Sequence, residues 1–334
     1  MSNSQFISTC QIENFCNRLS ELEVKDLGLE KYQASYLTNL LNHKKYFISI
    51  YANVLNELLK YSSKEKERIF LIDYGAGNGL LGLFAKHCGF GKVIQVDTSS
   101  ACCSCQKILS ERLGLPIDEN IHGDCKSLEK LATNPPDALI ATDVIEHIYD
   151  LDNFFSTLQK INNQLVTVFT TASNDHNWWK KKRLVKVQKK DEWKGGDFCE
   201  PFRMIRSGII KKEIPRITLS ELDLLVTHTR GLRKNDIELA CSLYKKNGAI
   251  PSLLIHPTNT CDPISGSWTE RILPFKEYQR LFNKYGFSLI IKNGFYNGFQ
   301  KGIKGRILSI LNILILKMGE KGSLLSPFII LIGK

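Results

Sequence analysis

Asp73-Tyr74-Gly75-Ala76-Gly77-Asn78-Gly79 closes one apolar run, Ile69–Tyr74, and opens another, Asn78–His87. The first run is short and ends in glycines, which predicts a buried strand. The second has helical spacing. Between them, three glycines in five residues allow a sharp reversal and a close approach of backbone to a ligand. The N-terminus of the following helix would point unpaired N–H groups at the same place.

The pattern repeats outward from this turn. Lys92–Asp97 predicts a second strand, Ser99–Leu113 a helix, Asn120–Gly123 a short strand and Ala138–Thr142 a fourth. Leu151–Ile161 reads as a helix and Leu165–Thr171 as a fifth strand. Repeated βα units of this length imply a parallel sheet covered by helices on both faces. Residues 1–63 read as a helical cap, with the 64–173 core after it. The alternation stops at Ala172, and 174–272 form a mostly helical insertion. Within it Ser220–Thr229 and Asp236–Lys246 predict a helical hairpin capped by Ser220 and Asn235. Residues 273–334 complete the core: Phe275–Tyr285 is an amphipathic helix stopped by Gly286, and Phe287–Lys292 and Pro327–Ile332 are strands.

Gly77-Asn78-Gly79-Leu80-Leu81-Gly82 also fits a dinucleotide-binding GxGxxG, with an acid, Asp97, ending the next strand. Three features favour a different ligand. Asp73 precedes the glycines, and a carboxylate there suits a cationic amino group better than a pyrophosphate. The third strand runs into Gly123-Asp124-Cys125, whose acid can accept from an adenine amino group. The fourth runs into Asp143-Val144-Ile145-Glu146-His147-Ile148, which puts polar groups at the carboxyl edge where open α/β sheets bind ligands.

With these four motifs in this order, the chain resembles the class I S-adenosylmethionine (SAM)-dependent methyltransferases over 68–173 and 274–334. The resemblance implies a Rossmann-like, doubly wound α/β fold with seven strands in the order 3-2-1-4-5-7-6 and strand 7 antiparallel. It implies cofactor contacts from Asp73, Gly75, Ala76, Gly77, Asn78, Gly79, Asp97, Thr98, Asp124, Cys125, Asp143 and Val144. Asp97 matches the acid that holds the ribose hydroxyls in that family, and Asp124 the acid near the adenine.

SAM carries an already activated methyl group, so the protein has only to orient the acceptor and remove its proton. His147 is the first candidate base and His176, beyond the fifth strand, the second. Asp143, Glu146 and His147 are spaced i, i+3, i+4 and would share a face if the chain were helical there. That triad resembles metal positions of ubiquinone-biosynthesis O-methyltransferases and small-RNA 2′-O-methyltransferases. Mg²⁺ is therefore an alternative, although Glu-His-Ile also occurs in family members that bind no metal.

The 334 residues carry a formal charge of +11. Between Asn174 and Arg216 there are 13 Lys or Arg against 6 Asp or Glu. Trp178, Trp179 and Trp193 are interleaved with Lys180, Lys181, Lys182 and Arg183, which suits RNA or an anionic glycan, or else a core-facing aromatic pair on a solvated helix. The insertion is expected to act as a substrate lid. The loop His256–Pro263 could line a pocket or lie on the surface. Ile307–Met318 is apolar on nearly every side and flanked by Lys301, Lys304, Arg306, Lys317 and Lys321. Packing between the final strands is the default for it, with contact of a membrane interface through 303–321 as the alternative.

The polar start, MSNSQFISTCQIENF, does not read as a signal peptide. The ten cysteines, Cys199 among them, lack disulfide-framework spacing, and Cys102 with Cys105 lacks the second pair a zinc site needs. A cytoplasmic protein is expected. The favoured function is methyl transfer to an oxygen or nitrogen of a small-molecule, sugar or lipid-linked substrate. The alternatives are a tRNA methyltransferase using 174–216, an NAD-dependent oxidoreductase, and a non-catalytic SAM-binding protein.

Overall fold

The computed structural model describes residues 6–196 and 200–334. The first five residues of the polar start and Cys199 lie outside them. In chain order the elements are α1 (Thr9–Ser20), α2 (Lys31–Asn42), α3 (Lys44–Tyr61), β1 (Phe70–Tyr74), α4 (Leu80–His87), β2 (Lys92–Asp97), α5 (Ser100–Arg112), β3 (Glu119–His122), β4 (Ala138–Thr142), α6 (Leu151–Ile161) and β5 (Val166–Thr171). There follow α7 (Trp178–Trp193), α8 (Phe202–Glu213), α9 (Leu219–His228), α10 (Lys234–Asn247), α11 (Phe275–Lys284), β6 (Leu289–Asn293), α12 (Gly302–Lys317) and β7 (Ile329–Gly333). They fall into two compact units. Unit 1 holds residues 1–144, 152–171 and 278–334, and unit 2 holds 145–151 and 172–277. Residues 145–151, which the sequence pattern assigns to the core, thus group with unit 2.

Unit 1 contains the expected sheet, in the order β3-β2-β1-β4-β5-β7-β6. β1 to β5 are parallel, and β7 runs antiparallel to both β5 and β6. Every residue of β1, β5 and β7 is buried, as expected of strands covered on both faces. α1–α3 belong to this unit's main hydrophobic cluster. Phe15, Leu19, Leu37, Val54, Leu55 and Leu58 pack in it with Leu71, Phe84, Val168 and Ile330. A second layer is aromatic: the Phe155 and Phe282 ring centroids lie 4.5 Å apart, with Phe154, Phe169 and Phe287 around them.

α12 departs from the default expectation. Only Gly305 and Ile315 are buried, and Ile303, Ile307, Ile310, Ile313, Leu314 and Leu316 project from the surface instead of filling space between β6 and β7. Antiparallel pairing of β6 with β7 leaves no gap for a helix. Among the described residues, no helix is long and apolar enough to cross a membrane.

Unit 2 is helical. Ile210, Leu222, Leu225, Val226, Ile237 and Cys241 form a core of their own. α9 is capped by Thr218 through a reciprocal box with Glu221, not by Ser220, and Arg233, not Asn235, occupies the N-cap of α10. Gly248 ends α10 in the left-handed conformation. Trp178, Trp179 and Trp193 of α7 are exposed, so the core-facing reading fails; the buried side of α7 is Leu184, Gln188 and Glu192.

Candidate cofactor site

The site is assembled at the carboxyl edge of β1, β2 and β4, within unit 1. Gly75, Gly77 and Gly79 all have left-handed backbones, with φ of 65°, 54° and 82°. The N–H groups of Gly75 and Ala76 both donate to the Val96 carbonyl, pinning the turn to β2. Two glycines are also required by space: a Cβ on Gly75 would stand 2.6 Å from a Val144 methyl, and one on Gly79 2.8 Å from the Gln95 amide. Above Gly77 the nearest contact to such a Cβ is the Tyr36 ring, at 3.8 Å.

Asp73 lies beneath the turn, 1% exposed. Its Oδ2 accepts from the Gly82 N–H at 2.8 Å and from Gln95 Nε2 at 3.4 Å. Burial pushes its carboxyl up to about 7, against the lowering effect of those two bonds. This acid braces the N-terminus of α4 from below. Asp97 faces the turn itself: Oδ2 accepts from the Gly77 N–H at 2.8 Å and Oδ1 from the Ser99 N–H at 2.9 Å. Each oxygen keeps a further lone pair for a ligand hydroxyl.

Thr98 is exposed, and its carbonyl meets His122 Nε2 at 3.0 Å. Asp124 is exposed and caps the 3-10 helix Cys125–Thr133 through the Lys126 N–H, while Cys125 is buried with its thiol pushed up by that burial. Asp143 is exposed at the tip of β4, in a left-handed conformation with φ of 53°. Its N–H is held by the Thr170 carbonyl.

The N-terminal helices supply groups that the motif pattern does not reveal. Tyr36 on α2 and Tyr46 on α3 are both pushed up to about 12, chiefly by burial and next by the Asp143 carboxylate. Tyr51 is raised by burial, with smaller contributions from Tyr36, Asp73 and Asp143. These phenols stay neutral donors at neutral pH. Gln95 and Gln106, both fully buried, hold the turn through the carbonyls of Gly79 and Gly77, at 2.7 and 3.0 Å. A glutamine inside a buried strand (Gln95) and one on a buried helix face (Gln106) are the signals that could have marked them.

After β4 the chain makes a turn over Ile145–His147, not a helix, so Asp143, Glu146 and His147 do not share a helical face. Asp143, the first position of that spacing, is left-handed and so is not itself part of a right-handed helical turn. In unit 2 the Glu146 carboxylate accepts from the Ala172 N–H. Among the described residues no group of three or more His, Cys, Asp or Glu is gathered as metal ligands; the Asp143, Glu146, His147 alternative therefore has no assembled ligand set. Cys102 and Cys105 hold no such group either: Cys102 Sγ accepts from Gln33 Nε2, and Cys105 is buried.

His147, also in unit 2, places Nδ1 2.7 Å from the Trp268 carbonyl. A carbonyl only accepts, so Nδ1 is the donor in this contact. His176 is exposed and stacks on Phe275 at 3.8 Å. The 256–263 loop belongs to unit 2, with Asn259, Thr260, Cys261 and Pro263 buried and Pro257 exposed. Asn259 brackets the backbone of Ile272, and Thr260 donates to the buried Glu192. Burial pushes the Cys261 thiol up to about 12, so it stays protonated at neutral pH.

Residues 72–164 match a protein family described as a methyltransferase domain. The matched residues lie within the Rossmann-like sheet, running from β1 to the end of α6. No curated protein matches the chain. Among solved structures, a SAM-dependent methyltransferase from Agrobacterium tumefaciens is similar at 17% identity over 38% of this chain and 44% of that one, with a TM-score of 0.30. A SAM-dependent methyltransferase from Clostridium acetobutylicum follows at 19% identity, 32% and 46% coverage and a TM-score of 0.27. TehB from Haemophilus influenzae stands at 16% identity, 40% and 44% coverage and 0.30. The match spans less than half the length of each of these three proteins. The methyltransferase reading rests on the sheet order and on the family match.

The cofactor fits the residues present. Both polar atoms of the Asn78 side chain are buried without a partner, inside the turn that would hold it. Asp97 and the exposed Asp143 offer carboxylates for hydroxyls and for a cation, respectively.

Proposed function

We propose that this protein is a SAM-dependent methyltransferase acting on an oxygen or nitrogen of a small-molecule, sugar or lipid-linked substrate. The observation that carries the reading is the glycine turn, held open by three left-handed residues and tied to the Asp97 carboxylate through the Gly77 N–H. SAM, when bound, supplies a methyl group on a positive sulfur. The chain's contribution is to hold and orient the cofactor. Asp97 would accept from ribose hydroxyls, the Asn78 amide would gain a partner, and Asp143 would balance positive charge.

Calorimetry tests this directly. S-adenosylhomocysteine and SAM are expected to bind and NAD to give no heat. Asp97→Ala is expected to weaken S-adenosylhomocysteine about tenfold or more, the scale of a lost charge-assisted hydrogen bond. Binding of NAD with no binding of S-adenosylhomocysteine overturns the reading.

One observation favours a second substrate class, tRNA. Trp178, Trp179 and Trp193 are solvent-exposed, with Lys182 Nζ 5.1 Å from the Trp178 ring centroid and the Arg203 guanidinium 4.6 Å from that of Trp193. Stackable aromatics among cations suit single-stranded RNA. Affinity for bulk tRNA that falls steeply with salt, and falls again on Trp178→Ala and Trp179→Ala together, would establish that class.

A further inference from the structure

α12 carries an apolar surface that the methyltransferase reading leaves unexplained. Ile303, Ile307, Ile310 and Leu314 follow one another at intervals of four, three and four residues, which sets them in one stripe along the helix. They are 77%, 53%, 58% and 43% exposed. The opposite side is fastened to unit 1. Asn312 bonds both the N–H and the carbonyl of Tyr296, at 2.7 and 2.9 Å, and Ile315 is buried. The stripe is therefore held outward by its own anchoring.

The charge around it has one sign. Lys301, Lys304, Arg306, Lys317 and Lys321 stand at the two ends of the helix, with Glu320 the single acid in that stretch. A basin of ≈ 670 Å³ opens beside its N-terminal end, lined by His43, Lys44, Lys45 and Tyr46 together with Lys301 and Lys304. Among the described residues none of those four lysines is paired with a carboxylate.

We propose that the outer stripe of α12 and the adjoining lysine basin dock this protein onto an anionic phospholipid bilayer. The stripe enters the acyl boundary while the lysines at the ends and in the basin take phosphate headgroups. At ~24 Å the helix lies in the interface without spanning it. A second copy of the chain fits worse. Whether two such helices pair parallel or antiparallel, basic ends meet basic ends, and like charges oppose the contact. The docking does not depend on the methyltransferase reading, and its test reads binding alone.

The test is flotation of the full chain with vesicles of phosphatidylcholine alone and of phosphatidylcholine mixed with phosphatidylglycerol, at low and high salt. Binding is expected on the mixed vesicles, weakened by salt and weak or absent on the neutral ones. Ile307→Glu with Ile310→Glu is expected to reduce partitioning about tenfold or more. Lys301→Glu with Lys304→Glu is expected to abolish the preference for anionic lipid. All four side chains are exposed, so the variants should fold, and circular dichroism with S-adenosylhomocysteine calorimetry checks that they do. No binding to either vesicle, equal binding to both, or a concentration-dependent dimer that Ile307→Glu with Ile310→Glu dissolves would each overturn the proposal.

Discussion

At the scale of single residues, Asp73 joins the turn to the helix behind it at an electrostatic cost. Burial raises its carboxyl to about 7, whereas an aspartate in an unfolded chain titrates near ~3.9. Between about pH 4 and 7 the folded chain then holds a proton that the unfolded chain has released. The free energy of unfolding falls as pH rises through that window. Asp73→Asn keeps an acceptor for the Gly82 N–H but removes the titration. Thermal midpoints measured across the window are expected to drop with pH in the parent and to stay flat in the variant. Gly75 makes a steric prediction. Alanine there meets both a left-handed φ and the Val144 methyls, so Gly75→Ala should cost roughly 2 kcal/mol or more in urea unfolding. Adding Val144→Ala should recover the steric part and leave the backbone part, a split that a double-mutant cycle reads.

At the scale of elements, the second unit is pinned by one ion cluster. Arg206 on α8 is fully buried and reaches Glu192 on α7 at 2.5 and 3.1 Å, with Arg230 on Glu192 at 3.1 Å and Thr260 donating at 2.8 Å. Burial pushes the Glu192 carboxyl up, but the arginines outweigh it and hold the group below its usual value. Its stabilising effect is present above the unfolded value of about 4.5 and is lost as pH falls through the folded one. Arg206→Met leaves a buried carboxylate with only part of its compensation. We expect a loss of about 3 kcal/mol or more, measured by chemical unfolding followed at Trp193 on α7. The motif pattern gives no sign of this cluster, because charged residues on α7 and α8 read as solvated faces until the helices pack. The turn after β4 was hidden for a related reason. Asp143, Glu146 and His147 have helical spacing, and only the left-handed backbone at Asp143 shows that the chain leaves the strand differently.

At the scale of the whole molecule, two compact units each carry their own core. Calorimetric unfolding is expected to show two transitions. S-adenosylhomocysteine should raise the one belonging to unit 1, and Arg206→Met should lower the other. A single transition moved equally by both would contradict this division. The sequence by itself determined the strands and the glycine turn, because strand and helix periodicities are local and a left-handed turn admits few residues but glycine, while the strand order came from the resemblance to the methyltransferases. It also placed Asp97, Asp124 and Asp143 at strand tips, since a strand's end is legible once the strand is. Tertiary structure alone decided that Asp73 lies beneath the turn and that Tyr36 and Tyr46 come from the N-terminal helices to the neighbourhood of Asp143. It alone turned the tryptophans of α7 and the isoleucines of α12 outward. Which face of a helix is covered depends on what packs against it, and that partner is set by contacts far apart in the chain, beyond the reach of any local pattern.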